Sequence, residues 1–434
     1  MDSIDYADLP EQLLALAKAA GADAAEVYQA TALSKPAIFE ANRLKQLETS
    51  ESEGIALRLW RGGKPGLAVA YGPVAPDLLL EKALALSDLN ESETPELTPG
   101  KRHRFPGLGK TVAVEQLVEW GREAIALMRQ AYPEAICQAE LTCETETTRL
   151  VNSAGLDYAY QDTTLSSYFS ADRIRGDDFL TVGDGEVARN QLDPKATIES
   201  ILQRLRWAEQ TVEAPSGRLP VVFTHKAADL LWETVQSALN GKRVVEKSSP
   251  WSELLGQQVV SPTVTFFQDP DQGPYSCPFD DEGQLAQKLT LLDGGKLAGF
   301  YCDRTVGRQL GHPSTGNGVR PGLGGYPIPS LLNVLICPGE RSFDQMIGGL
   351  KDAIVIDQVL GNGAGISGEL SVNLELGYRV AAGEIIGRVK DTMVAGNVYT
   401  ALKQVMELAH DSVWCGSCFT PSVAVDGLSV TSRS

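Results

Sequence analysis

The chain has 434 residues, 43% of them apolar, and 38 basic against 56 acidic side chains, a formal net charge of −18. That length favours two or three domains over one core, and the composition is that of a globular protein rather than a disordered one. The negative field repels phosphate backbones, so nucleic acid is not an expected partner. No apolar run reaches the roughly 18 to 20 residues that span a bilayer, so no membrane association is expected. The acidic start at Met1-Asp2-Ser3 has no signal-peptide character. Seven scattered cysteines, an odd number, fit reduced thiols better than a disulfide scaffold. The expected location is the cytoplasm.

In chain order, Glu11 to Ala20 reads as a helix stopped by Gly21. Ala25–Ala30 and Gly54–Trp60 read as strands; the second turns at Arg61-Gly62-Gly63-Lys64-Pro65-Gly66 into a return strand, Leu67–Tyr71. A helix follows from Pro76 to about Leu86. Residues 90–110, polar and broken by Pro95, Pro99 and Pro106, read as a junction. A second unit opens with a helix from Val114 to about Tyr132, continues in strands from Ile136 to Tyr168 around the turn Asn152-Ser153-Ala154-Gly155, and closes with a helix from Pro194 to about Val212. Beyond Pro215-Ser216-Gly217, helix signal is confined to Lys226–Asn240, Ser342–Ala353 and Val398–Leu408, with glycine-rich turns between short apolar runs. The expected fold is α+β: an N-terminal α/β part of two subdomains, 1–100 and 111–214, then a β-rich domain, 218–434, with a few covering helices.

Chemistry-bearing patterns are sparse. The four histidines, His103, His225, His312 and His410, fall in four separate segments. There is no H-E-x-x-H, no G-x-S-x-G and no phosphate-binding glycine loop. Cys415-Gly416-Ser417-Cys418 is a C-x-x-C, which can act as a dithiol or supply half a zinc site; without a second such pair it reads as incidental thiols at a turn. Asp280-Asp281-Glu282 before Gly283 reads as a solvated turn. The turn-rich stretch Ser314-Thr315-Gly316-Asn317-Gly318 reads as a loop of the kind that carries function.

Several segments together resemble the TldD/PmbA family. They are Gly256–Pro262, Pro278–Gly283, Gly294–Phe300, Ser314–Gly318, the stretch from Gly361, Val394–Asn397 and Pro421–Val430, in an order and spacing that fit across the C-terminal half. The N-terminal half fits more loosely. The resemblance implies two kinds of chain. TldD-like chains carry a helix with H-E-x-x-x-H and a cysteine near the C-terminus, a set that binds zinc and activates its water. PmbA-like chains, also called TldE, lack these ligands and pair with a TldD-like subunit around a chamber in which peptides are cleaved.

The corresponding helix here puts Trp232 in place of the first histidine and Ser237 in place of the second, leaving Glu233 alone, with Cys415 near the place of the ligand cysteine. Neither indole nor hydroxyl replaces an imidazole at zinc. The resemblance therefore implies a non-catalytic, substrate-guiding subunit with no metal and no catalytic residue of its own. Zinc is expected in a TldD-like partner, and unfolded or small modified peptides as the cargo, with Ser314, Thr315, Gly316, Asn317 and Gly318 as peptide contacts. Two alternatives stand beside it: a stand-alone homodimeric peptide-binding protein, and a hydrolase using Cys415 with His410 or His312.

Overall fold

The computed structural model describes residues 8–361 and 363–432. Segments 8–100 and 111–214, with a short strand of the junction between them, share one eight-stranded sheet. Its path runs Lys64–Tyr71, Ser50–Arg61, Ala24–Glu40, Ile136–Asn152, Asp157–Arg175, Arg102–Arg104, with Arg43–Leu47 joined to Ala24–Glu40 and Asp178–Ala188 to Asp157–Arg175. The central pairing is antiparallel and unbroken from Glu26↔Asn152 to Phe39↔Ala139.

Strand side chains alternate with a period of two, and this sheet uses both faces. Ala25, Val27, Ala37 and Phe39 point to the helical side. Leu9–Ala19 and Pro76–Asp88 cover one end of that face through Leu9, Leu13, Leu79 and Ala83. Val114–Ala131 and Pro194–Trp207 cover the other end through Leu117, Met128, Ile198 and Ile201. Glu26 and Tyr28 point the opposite way, toward the C-terminal part: Glu26 Oε1 takes Arg320 Nη2 at 2.7 Å and Arg58 Nη2 at 2.8 Å.

The C-terminal half is built on a seven-stranded sheet, Asp352–Leu360, Gly217–Phe223, Val423–Ser432, Thr392–Asn397, Glu369–Ala381 and Glu384–Val389 in that path, with Val405–Leu408 on Val423–Ser432. A further pairing of Asp352–Leu360 with Glu369–Ala381 closes five of these strands into a ring. Alternation again sorts the faces. Val221, Phe223, Ile354 and Ile356 pack against the helix His225–Leu239. Val222, Val355, Tyr378 and Ala424 join the core beneath Pro194–Trp207, where Tyr378 donates its hydroxyl to the Arg204 carbonyl at 3.1 Å. A six-stranded sheet, ending on the hairpin Val413–Cys415 and Cys418–Thr420, lies beside it.

The α+β class holds, and three helices are shorter than their sequence spacing predicts. The helix read over Ser342–Ala353 is only Phe343–Gly348: Ser342 and Gln345 cap its start reciprocally, Gly348-Gly349 end it, and Ala353 already lies in a strand. The helix read to Leu408 stops at Lys403, because Val405–Leu408 is drawn into pairing with Val423–Ser432. The helix from Pro194 ends at Trp207. No helix among the described residues is long and apolar enough to cross a membrane.

Candidate functional site

The helix His225–Leu239 has the spacing of a buried scaffold. Ala228, Leu231, Trp232, Val235, Ala238 and Leu239 line its inner face. Trp232 is 0% exposed. Its Nε1 donates to Thr420 Oγ1 at 2.6 Å, and its ring lies 6.3 Å from that of Phe266. Ser237, five residues on, is half-buried, and Glu233 is exposed.

Glu233 faces a cavity of about 410 Å³ that is also lined by Tyr168, Lys226, Asp229 and Glu375. Asp229 stands one turn before Glu233. Burial, and then repulsion from Glu233, push its carboxyl up to about 6. The i,i+4 spacing of these two carboxylates on one helix is the sequence signal that points to this pair.

Beneath the start of the helix lies a buried charge network. Arg204 gives Nε to Asp357 Oδ1 at 2.7 Å and Nη1 to Asp184 Oδ2 at 2.6 Å. Lys226 Nζ stands 3.5 Å from Asp357 Oδ2, and Thr224 donates to Asp357 at 3.1 Å. Against the burial that would raise it, Arg204 and Lys226 hold the Asp357 carboxyl below the ordinary range. These residues carry no local motif; only the fold brings together positions more than 150 apart in the chain.

Cys415 adjoins the same helix. Its thiol donates to the His225 carbonyl at 3.5 Å, and burial pushes it up to about 12. The histidines considered as its partners lie elsewhere: His410 Nδ1 is 3.1 Å from the Gly339 carbonyl, and His312 Nδ1 lies 2.9 Å from the Pro313 carbonyl and 3.8 Å from Cys302 Sγ. No Cys415–His410 or Cys415–His312 pair forms among the described residues.

The Ser314–Gly318 loop lies within the fold. Asn317 is fully buried and gives Nδ2 to Gln268 Oε1 at 2.7 Å and to the Ser330 carbonyl at 2.8 Å. Thr315 Oγ1 donates to Asn317 Oδ1 at 2.7 Å. Gly316 is left-handed at φ 74°, and a Cβ there would meet the Leu285 carbonyl at 2.6 Å. Ser314 accepts from the Gly316 amide at 3.1 Å, and the Gly318 amide donates to Asp280 at 2.8 Å.

The acidic turn that receives this last bond is not solvated, contrary to the sequence reading. Asp280 is 1% exposed and also accepts the Glu282 and Gln284 amides. Burial and the neighbouring Glu282 push it up to about 7. Phe279 sits in an aromatic nest, its ring 5.4 Å from Phe105 and 5.3 Å from Tyr158. Thr98 donates to the Glu282 carbonyl at 2.6 Å. The turn thus docks the C-terminal half on the N-terminal sheet, which alternation alone does not reveal.

The zinc-holding set of a TldD-like chain is not reproduced by these residues. The indole points its only polar atom into the core as a donor, Ser237 is a neutral alcohol, and the Cys415 thiol is turned to a backbone carbonyl. Among the described residues, no three His, Cys, Asp or Glu side chains converge as a metal-holding group.

Comparison with known proteins places this architecture. Residues 216–432 match the model of the PmbA/TldA metallopeptidase C-terminal domain. An uncharacterized protein of Methanocaldococcus jannaschii is 26% identical over 407 residues, 90% of this chain and 92% of its own length. The Metalloprotease TldD homolog of Haemophilus influenzae is 30% identical over 247 residues, 56% of this chain and half of its own length. The crystal structure of TldE from Thermococcus kodakarensis superimposes with a TM-score of 0.90 at 24% identity, covering 98% of this chain and 100% of that one, which speaks to the fold. With half its length matched by the domain model and a motif helix that lacks both histidines of H-E-x-x-x-H, the chain belongs to the TldD/PmbA family and resembles its PmbA (TldE) type subunit.

Proposed function

We propose that this chain is the non-catalytic, substrate-guiding subunit of a TldD/PmbA-type peptidase complex. In this reading it pairs in the cytoplasm with a TldD-like chain that holds the zinc, and it helps to present unfolded or small modified peptides. The observation that carries the proposal is Trp232: where a catalytic chain has an imidazole, an indole is built into the core and bonded to Thr420. A helix so anchored keeps its structural role without the ligand set that acidifies water.

Two strand edges support the peptide part. Among the described residues Asp178–Ala188 pairs only with Asp157–Arg175, and Val413–Cys415 ends the six-stranded sheet. Between them lies a cavity of about 350 Å³ lined by Asp184–Val187 and Ser412–Trp414. Edges of this kind take an extended peptide through main-chain hydrogen bonds that tolerate many sequences. The Ser314–Gly318 loop enters this proposal as a brace for the acidic turn, since its Asn317 is spent internally.

The test is co-expression with a TldD-like chain of the same genome, followed by metal analysis and peptide cleavage by each chain and by the pair. The expected result is a co-purifying pair that cleaves an unfolded peptide, about one zinc assigned to the partner, and no turnover by this chain alone. Failure to co-purify, or chelator-sensitive cleavage by this chain alone, would overturn the proposal.

A further inference from the structure

Cys415 and Cys418 are direct partners across the hairpin formed by Val413–Cys415 and Cys418–Thr420. Gly416 and Ser417 form the turn between them and are exposed; Gly416 is left-handed at φ 59° with open space around it. Both thiols are free. Residues directly opposite on an antiparallel pair place their side chains on the same face, with Cα atoms about 4.5 to 5.5 Å apart. Disulfides form across about 4.4 to 6.8 Å. Among the described residues this is the one cross-strand register that sets two cysteines opposite each other. Two thiols alone do not complete a zinc site, and among the described residues no third ligand of the usual kind converges on them.

We propose that Cys415 and Cys418 form a reversible cross-strand disulfide by exchange with a low-molecular-weight disulfide such as oxidised glutathione. Cys415, the more exposed of the two, attacks one sulfur of the external disulfide; that S–S bond breaks, one glutathione thiolate leaves, and a mixed disulfide remains on Cys415. Cys418 then attacks the Cys415 sulfur and expels the second glutathione. Two protein thiols are oxidised, one external disulfide is reduced to two thiols, and the two protons pass to the leaving thiolates. The Cys415 thiol is pushed up to about 12 by burial, with the Asp184 and Asp229 charges adding to it. The attacking thiolate is therefore scarce at neutral pH, and exchange accelerates about tenfold per pH unit. Oxidation removes the S–H that Cys415 donates to the His225 carbonyl, which frees the hairpin from the first residue of the motif helix. The proposal stands on this chain alone and does not require a partner subunit.

The full chain is incubated in glutathione buffers of increasing oxidised fraction, alkylated, digested with trypsin and weighed. Both cysteines fall in the single tryptic fragment 404–433. The expected product is that fragment lighter by two hydrogens and unalkylated, restored by reduced glutathione, while the other five cysteines stay reducible thiols throughout. The Cys418→Ser chain is expected to stop at a glutathione adduct on Cys415. Full alkylation of both residues in the oxidised buffer, or a stable glutathione adduct in the unsubstituted chain with no internal link, would overturn the proposal.

Discussion

Trp232 Nε1 reaches Thr420 Oγ1 across 2.6 Å, so the residue at the lost first-histidine position ties the motif helix to the strand following the Cys415–Cys418 turn. The indole fills a fully buried place beside Phe266. Its position has become part of the core, and the core depends on it.

Trp232→Ala should therefore cost about 3 to 5 kcal/mol of stability, as large-to-small changes at buried aromatics do. Trp232→His combined with Ser237→His rebuilds the motif's letters and not its geometry, because position 232 faces Thr420 and Phe266 rather than the cavity at Glu233. Urea midpoints should fall for both variants, and the double variant should purify without stoichiometric zinc. A double variant of unchanged midpoint with one bound zinc would defeat this reading.

Asp229 makes stability depend on pH with a definite sign. Its carboxyl lies at about 6 in the folded chain against an ordinary value of 3.8. A group raised in this way favours the fold while protonated; the contribution is complete below about pH 4 and is lost as the pH rises through 6. Asp229→Asn should remove that slope and stabilise the chain at pH 7.5 by about 1 to 3 kcal/mol. Thermal melts of both chains from pH 4 to 8 check it, and parallel curves would count against it.

Glu26 accepts from Arg320 and Arg58 at the junction of the two halves, with Glu26 and Arg320 only 3% exposed at their side chains. Removing one member of a buried ionic set strands its partners at a cost of about 3 to 5 kcal/mol. Glu26→Gln should lower the melting temperature and speed thermolysin cleavage within the Arg320–Gly325 segment. The same melting temperature and cleavage pattern as the unsubstituted chain would show that the triad does not hold the halves together.

What was legible in the sequence is what local chemistry writes. The Arg61–Gly66 turn carries the left-handed glycines 62 and 63 of its hairpin. The apolar stripe of the motif helix, and the indole and alcohol at the degenerate positions, were equally plain. The pairing of Ala24–Glu40 with Ile136–Asn152 was not, because strand partners a hundred residues apart share no local signal. The acidic turn misled for a related reason: Asp-Asp-Glu-Gly has the composition of a solvated turn, while its burial comes from Phe279 seated among aromatics of the N-terminal sheet. The Arg204–Asp184–Asp357 network was illegible on the same grounds, as its members lie on three elements.

That network sets the acid limit of the fold, with a sign opposite to that of Asp229. Arg204 and Lys226 hold the Asp357 carboxyl below its ordinary 3.8 despite complete burial. A depressed carboxyl stabilises the fold above its unfolded value and loses that contribution as the pH falls below it. Asp184, facing the same guanidinium, is also depressed: burial would raise it, and Arg204, Lys226 and His225 outweigh that. Asp357→Asn should cost about 3 to 5 kcal/mol at neutral pH, by leaving Arg204 and Lys226 short of one counter-charge, and it should flatten the fall in stability as the pH drops below about 4. Denaturation at fixed pH values across that range separates the two effects. An Asp357→Asn chain with an acid slope as steep as the parent's would place the acid-labile group elsewhere.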